Sequence, residues 1–260
     1  MRTSQISLFA LCIITLLSCQ KDEVAQPNYN FIKVDSINWK YLIDKEKHSA
    51  PSSIGGTAYF QYVGNKLSKR LGGYKNIITG GGYSGFYTTE IYDTVEFHNS
   101  NTITIITKDN LNGMDVYPRK REITLKNEII VKKITFDENN PDTIYYYYDS
   151  QNRLTKTEQF FKISIITKNY LFDSNNNLQK ISTVKKAKDD GFVYYVAEEL
   201  FGGYDNKVNP LSGQTLWQDL LYRTLSKNNF TTYTYSEGTN FETISWTLIY
   251  DNNGNVDYSK

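Results

Sequence analysis

One short unit constrains this chain more than any other feature. It reads aromatic, usually Asp, two loose polar residues, Asn or Gly, any residue, then an aliphatic. It occurs as Tyr148-Asp149-Ser150-Gln151-Asn152-Arg153-Leu154 and as Phe172-Asp173-Ser174-Asn175-Asn176-Asn177-Leu178. It returns as Tyr250-Asp251-Asn252-Asn253-Gly254-Asn255-Val256. Looser copies are Phe97-His98-Asn99-Ser100-Asn101-Thr102-Ile103 and Tyr235-Ser236-Glu237-Gly238-Thr239-Asn240-Phe241, and Phe136-Asp137-Glu138-Asn139-Asn140 starts another. The chemistry is that of a turn. The Asp carboxylate accepts hydrogen bonds from the backbone two residues on. The Asn or Gly takes a left-handed conformation so that the chain can rejoin the second strand. Asn152, Asn176 and Gly254 are therefore predicted at positive φ. An Asp that recurs wherever the chain reverses is structural, which argues against reading these residues as paired catalytic carboxylates.

Between the turns lie alternating or β-branched runs. They predict strands at 57–63, 86–97, 102–107, 122–125, 129–136, 143–148, 154–161, 163–172, 178–185, 192–200, 230–235 and 241–250. The fold class is mainly β: an antiparallel meander of about a dozen strands forming a curved sheet or a barrel. Such a sheet must curl, close or be covered, because open edges promote aggregation. One helix interrupts the series. Thr215 with Gln218 forms a capping box, and Leu216, Trp217, Leu220, Leu221 and Leu225 share a face. Its expected role is to cover the sheet, with Trp217 as anchor. A lid or partner-binding face is the sharper alternative.

The N-terminus reads as an address. Met1 and Arg2 precede an apolar run over 6–17, too short for a transmembrane helix, which needs ~20 residues, and suited to a secretory signal. The run ends Leu16-Leu17-Ser18-Cys19, which resembles the bacterial lipoprotein cleavage box. That resemblance makes Cys19 the lipidated first residue of the mature chain, held by acyl chains that each contribute ~0.8 kcal/mol per buried methylene. The organisation is then a signal peptide at 1–18, a lipidated Cys and solvated tether at 19–30, and a single all-β domain at 31–260. Lys21-Asp22-Glu23 also looks like the surface-export signal of Bacteroidota lipoproteins, implying an outer-membrane protein that faces outward. The alternative is a charged linker facing the periplasm. No later stretch is long and apolar enough to span a bilayer.

Charge and cysteines exclude several classes. The 29 Lys+Arg and 28 Asp+Glu give a net charge of +1. Losing Arg2 with the signal brings the mature chain to zero, which argues against nucleic-acid binding. Of the two cysteines, Cys12 leaves and Cys19 becomes a thioether, so no disulfide or Cys nucleophile remains. The two histidines, His48 and His98, lack ligand-spaced partners, and neither a metal site nor a cofactor is expected. Gly80-Gly81-Gly82-Tyr83-Ser84-Gly85 lacks the Lys-Ser/Thr pair of a phosphate loop and reads as a hairpin loop. Asp173-Ser174-Asn175-Asn176-Asn177 lacks the distal Glu of a calcium loop. Lys185-Lys186-Ala187-Lys188, answered by Asp189-Asp190, reads as a solvated loop. Asp35-Ser36-Ile37, Asp93-Thr94-Val95 and Asp142-Thr143-Ile144 look like short O-glycosylation acceptors.

The 22 Tyr include the run Tyr145-Tyr146-Tyr147-Tyr148. Alternation sends two rings to the core and two to the other face. They serve either as cross-strand pairs, worth roughly 0.2–1 kcal/mol each, or as a platform that stacks on sugar rings. The Tyr-Asp hairpins, Tyr204-Asp205-Asn206-Lys207-Val208-Asn209-Pro210 and Ser226-Lys227-Asn228-Asn229 together resemble a family of uncharacterised Bacteroidota surface lipoproteins with a described porin-like β fold. The motifs cover residues 130–260, and Gly254-Asn255-Val256 departs from the family's Gly-Tyr-Pro. The resemblance implies a β fold and a surface lipoprotein and carries no catalytic residue. It does not imply a pore, since strands such as 154–161 are polar on both faces. Two functional readings follow. One is a non-enzymatic binding or scaffolding module, its partner a glycan or an outer-membrane protein and its only membrane contact the N-terminal lipid. The other is a hydrolase of extracellular glycan polymers with two carboxylates roughly 5–10 Å apart.

Overall fold

A computed structural model of the chain describes residues 33–43, 56–79, 82–110, 120–136, 141–213 and 216–260, with 74–79 and 82–86 described as backbone. The signal, Cys19 and the tether lie outside the described residues, as do His48, Gly80, Gly81, Thr215 and the turn at 137–140.

The strands are β1 (Ser36–Asn38), β2 (Thr57–Val63), β3 (Lys66–Thr79), β4 (Gly82–Asn99), β5 (Thr102–Asp109), β6 (Lys120–Lys126) and β7 (Ile129–Phe136). They continue as β8 (Asp142–Tyr148), β9 (Leu154–Phe160), β10 (Ser164–Phe172), β11 (Leu178–Ala187), β12 (Val193–Gly202), β13 (Thr232–Glu237) and β14 (Asn240–Ser245). Each pairs antiparallel with the next, giving one curved, unclosed 14-stranded meander in sequence order. This is the predicted fold class, with β1 and β3 added to the predicted strands. The β3 segment was hidden by Gly72-Gly73. Gly72 has φ +113°, where the register slips between Leu71 and Gly73, and a Cβ there would lie 2.3 Å from the Tyr87 hydroxyl. Only glycine fits both the backbone and the space.

The turns follow the sequence unit closely. Asn152, Asn176 and Gly254 have φ of 60°, 64° and 80°. Asp149 Oδ1 accepts from the backbone N–H of Gln151 (2.9 Å) and Arg153 (3.0 Å). Asp173 Oδ1 accepts from Asn175 and Asn177, both at 2.8 Å. Asp251 Oδ1 accepts from Asn253 (2.9 Å) and Asn255 (2.8 Å). These bonds hold the Asp149 and Asp251 carboxyls below their usual pKa range. The third hairpin stands outside the sheet, joined by a single bridge between Tyr250 and Val256.

The concave side is filled by the connection from β12 to β13. The expected helix is present there but shorter: α1 covers Leu221–Thr224, and Leu220 at its N-cap makes no side-chain capping bond. Tight turns precede it, with Leu220 N–H donating to the Trp217 carbonyl at 3.2 Å and Leu221 N–H to the Gln218 carbonyl at 3.3 Å. The Thr215–Gln218 capping box falls on Thr215, outside the described residues. The Gln218 side chain accepts from Lys133 Nζ at 3.4 Å. Neighbouring side chains here reach different strands, a demand that outweighs local helix preference. The C-terminal tail spans the gap between the first and last strands. Asn38 N–H donates to the Tyr258 carbonyl (2.7 Å), and Trp246 Nε1 donates to the Lys40 carbonyl (2.6 Å).

Candidate functional site

The interior is where most buried charge gathers. On β4, Asp93 occupies an inward position between Ile91 and Val95, and all three are buried. Asp93 accepts from Arg121 (2.6 Å), Thr107 (2.6 Å) and Trp217 Nε1 (2.6 Å). Burial alone would raise its pKa. Arg121, Arg70 and the hydrogen bonds from Thr107 and Trp217 outweigh burial and hold the carboxyl below the usual range. Arg70 on β3 bonds both oxygens of Asp219 (2.9 and 2.5 Å) and places its guanidinium 5.5 Å from the Trp217 ring. Phe60 on β2 meets Trp217 edge-on at 5.8 Å. The indole is thus held by side chains from β2, β3 and β4.

A second cluster centres on Glu199 and includes Tyr222 of α1. Glu199, inward between Ala197 and Phe201 on β12, pairs with Lys168 of β10 at 3.3 Å. It also accepts from Tyr222 (3.0 Å) and Tyr233 (2.8 Å). Burial would lower the Lys168 pKa, but Glu199 raises it overall. Arg223 is enclosed by rings: its guanidinium lies 4.3 Å from Phe230, 4.5 Å from Trp246, 5.2 Å from Tyr41 and 5.6 Å from Tyr258. Its Nε donates to the Tyr41 carbonyl at 2.7 Å. The chain's own arginine fills this aromatic cage.

The arrangement suits anchoring better than turnover. A cavity of about 20 Å³ lies between Gln218, Leu221 and strands β8 to β10, lined by Tyr146, Gln159, Lys168 and Tyr170. That volume accepts one water, not a sugar ring. The interior carboxylates Asp93, Glu199 and Asp219 face cations, and Asp93 is held ionised, the opposite of a general acid's requirement. Lys133 is buried, and burial together with nearby Arg121 pushes its pKa down to about 8, against the pull of Asp142 and Asp219. No cluster of three His, Cys, Asp or Glu suited to a metal occurs among the described residues.

The residues singled out in the sequence divide between scaffold and surface. Trp217 is 2% exposed, so the segment covers the concave face as expected. His98 is exposed and meets Thr104 Oγ1 at 2.8 Å. Asp93 of one glycosylation-like triad is an interior ligand of Trp217, which accounts for it structurally. Gly82 pairs with Thr79 and continues the β3–β4 hairpin. The two motifs that carried the family resemblance brace the long connection. Asn209 Nδ2 donates to the carbonyls of Arg223 (2.5 Å) and Ser226 (2.9 Å). Asp205 accepts from Asn229 N–H (3.0 Å) and Tyr250 hydroxyl (2.8 Å), and Ser226 Oγ accepts from Leu178 N–H (3.0 Å).

The outer face is polar with exposed rings. In the four-tyrosine run, Tyr146 is buried and Tyr148 half-buried against the core, while Tyr145 and Tyr147 are each 39% exposed on the outside. Tyr145 meets Phe160 edge-on at 5.7 Å. The ion pairs Lys120–Glu122 (2.6 Å) and Lys156–Glu158 (3.2 Å), and a Lys180–Glu198 pair, complete this surface.

Fold and interior together define a class: an open antiparallel meander wrapped around one of its own connections. No protein-family model and no curated protein matches the chain. A solved structure shares the fold. The chain is similar to a porin-like protein from Bacteroides uniformis ATCC 8492, with a TM-score of 0.50, 14% identity and coverage of 87% of both chains. It also matches a porin-like protein from Bacteroides vulgatus ATCC 8482 at a TM-score of 0.45 and 11% identity, over 76% of this chain and 87% of that one. The first likeness supports the porin-like β fold that the sequence motifs implied.

Proposed function

We propose that this protein is a lipid-anchored outer-membrane module that faces the cell exterior and binds or scaffolds there without catalysing a reaction. The observation that carries this reading is the filled concave side. Where a channel or catalytic cleft would lie, Trp217, Asp219 and Tyr222 bond to the surrounding strands and Arg223 bonds to the Tyr41 carbonyl just after β1, which leaves the outer surface as the place for contact with other molecules. Its lysines also argue against a lipid-facing band, where each near the midplane costs ~2–4 kcal/mol. Anchoring is therefore assigned to Cys19, the cysteine of the Leu16-Leu17-Ser18-Cys19 box. The Lys21-Asp22-Glu23 run supports an outward orientation.

Two measurements test this. Cys19→Ser should move the protein from the membrane to the soluble fraction, and full retention in the membrane would refute the lipid anchor. Protease added to intact cells should degrade the wild type, and full protection would refute the outward orientation.

A further inference from the structure

Three rings on the outer face of β8 and β9, Tyr145 and Tyr147 exposed and Phe160 half-buried, each have a lysine nearby. Lys132 Nζ lies 5.7 Å from the Tyr145 ring, Lys156 Nζ 4.2 Å from Tyr147, and Lys188 Nζ 5.8 Å from Phe160. The rings are contiguous: Tyr145 packs edge-on against Phe160, and Tyr147 is directly opposite Lys156 in the β8–β9 register. Cross-strand stabilisation explains the rings but does not require an ammonium group beside each one.

The charges are unevenly answered. Glu158 neutralises Lys156 and accepts from the Tyr147 hydroxyl at 2.7 Å, and that hydroxyl, with Lys156, holds it ionised against partial burial. Lys132 and Lys188 have no ion-pair partner among the described residues. These two ammonium groups therefore stand, with no ion-pair partner among the described residues, beside rings packed edge-on.

We infer that the Tyr145–Tyr147–Phe160 surface, with Lys132 and Lys188, is a binding platform for an acidic polysaccharide. A sugar ring presents an apolar C–H face to an aromatic ring, and a uronate carboxylate or sulfate at its edge meets the adjacent ammonium. One repeating acidic glycan satisfies both features at successive rings. A lipid surface is disfavoured by where the tether enters. Lys33 Nζ donates to the Gly64 carbonyl at 2.8 Å and Tyr62 hydroxyl to the Val34 carbonyl at 3.1 Å, placing the N-terminal entry at the β2–β3 turn. Consecutive hairpins alternate ends, so the β9–β10 and β11–β12 turns beside Phe160 and Lys188 lie at the opposite end. The inference names a ligand class for the non-enzymatic module proposed above and rests on that reading.

Native electrophoresis of the purified lipidated protein through gels containing polygalacturonate, alginate or chondroitin sulfate tests it. Retardation is expected by at least one of the three. Against polygalacturonate, full methyl esterification should abolish the effect, because it keeps the sugar and removes the charge. K132Q/K188Q should bind about tenfold more weakly, from two exposed charge contacts, with an unchanged melting temperature. Y145A/Y147A should also lose binding, and its folding is checked separately by circular dichroism. Retardation by none of the three, equal binding by K132Q/K188Q, or binding only to phosphatidylglycerol vesicles would overturn the inference. These readouts use protein in solution, so a failure here is distinct from a failure of the Cys19 and protease experiments.

Discussion

Replacing Trp217 with alanine is the most informative perturbation of the fold. The indole is 2% exposed, meets Phe60 edge-on, lies under the Arg70 guanidinium and donates a 2.6 Å bond to ionised Asp93. Truncation removes all three contacts and leaves a cavity, at a cost of ~3–5 kcal/mol. Trp217→Phe keeps most of the ring and loses chiefly the charge-assisted bond, so it should cost ~1.5–3 kcal/mol. For a domain of this size each kcal/mol lowers the melting temperature by roughly 2–4 °C. The alanine variant should therefore melt about 6–20 °C lower. Urea unfolding followed by far-ultraviolet circular dichroism measures both variants, with the slope against urea expected to stay constant. A double-mutant cycle with Asp93→Asn separates the bond from the packing. If Trp217→Ala changed stability by less than ~0.5 kcal/mol, the segment would not be an anchor, and the argument that it fills the concave side for structural reasons would fail.

Four further outcomes are expected. Asn152→Gly should leave stability almost unchanged, while Asn152→Val should cost ~1–2 kcal/mol, because φ is +60° and a β-branched side chain clashes there; equal melting of the two variants would contradict the left-handed turn. Lys133 has a folded pKa pushed down to about 8 from 10.5, so the folded state binds fewer protons than the unfolded chain between those values and stability gains from this group as pH rises through them. Lys133→Met should accordingly stabilise the protein at pH 7 by about 3 kcal/mol, from the fall from 10.5 to about 8 at 1.36 kcal/mol per pKa unit, and the advantage should shrink by pH 9.5 in paired unfolding curves. Asp93 has a depressed folded pKa, so its contribution is complete above the unfolded value of 3.8 and is lost as pH falls through the folded value; the stability gap between wild type and Asp93→Asn should close in acid, and a gap that widened there would reverse the assignment. Asp205→Ala removes the acceptor for Asn229 and Tyr250 and should speed amide exchange at 250–256 while leaving β4 and β5 protected.

Some interior charges carry a signal in the sequence, though not one read above. Asp93 sits at the same parity as Ile91 and Val95, Lys168 as Ile166 and Tyr170, and Glu199 as Ala197 and Phe201. A charged residue at an apolar parity marks a buried polar group that needs a partner. The partner itself was not legible. Nothing near residue 93 indicates that its donor is Trp217, 124 positions away, or that Arg70 waits for Asp219, 149 positions away. The same limit explains the helix: spacing at 216–225 fits a helical face, but the strands those side chains reach decide the local backbone. Likewise, the Tyr204–Pro210 and Ser226–Asn229 motifs were visible as sequence, while their joint work of bracing one connection appears only when Asp205, Asn209, Ser226 and Asn229 are seen bonded across it.

The sequence by itself determined the turns, and through them the meander. Each Asp turn is closed by bonds spanning two to four residues, so its chemistry is local and readable. Alternation between the turns then set which side chains face inward. Tertiary structure alone decided that the sheet stays open, that the β12–β13 connection fills its concave side, and that the tail from Trp246 to Tyr258 bridges its edges. Those outcomes depend on contacts between distant positions, whose energies compete only once the whole sheet has curved.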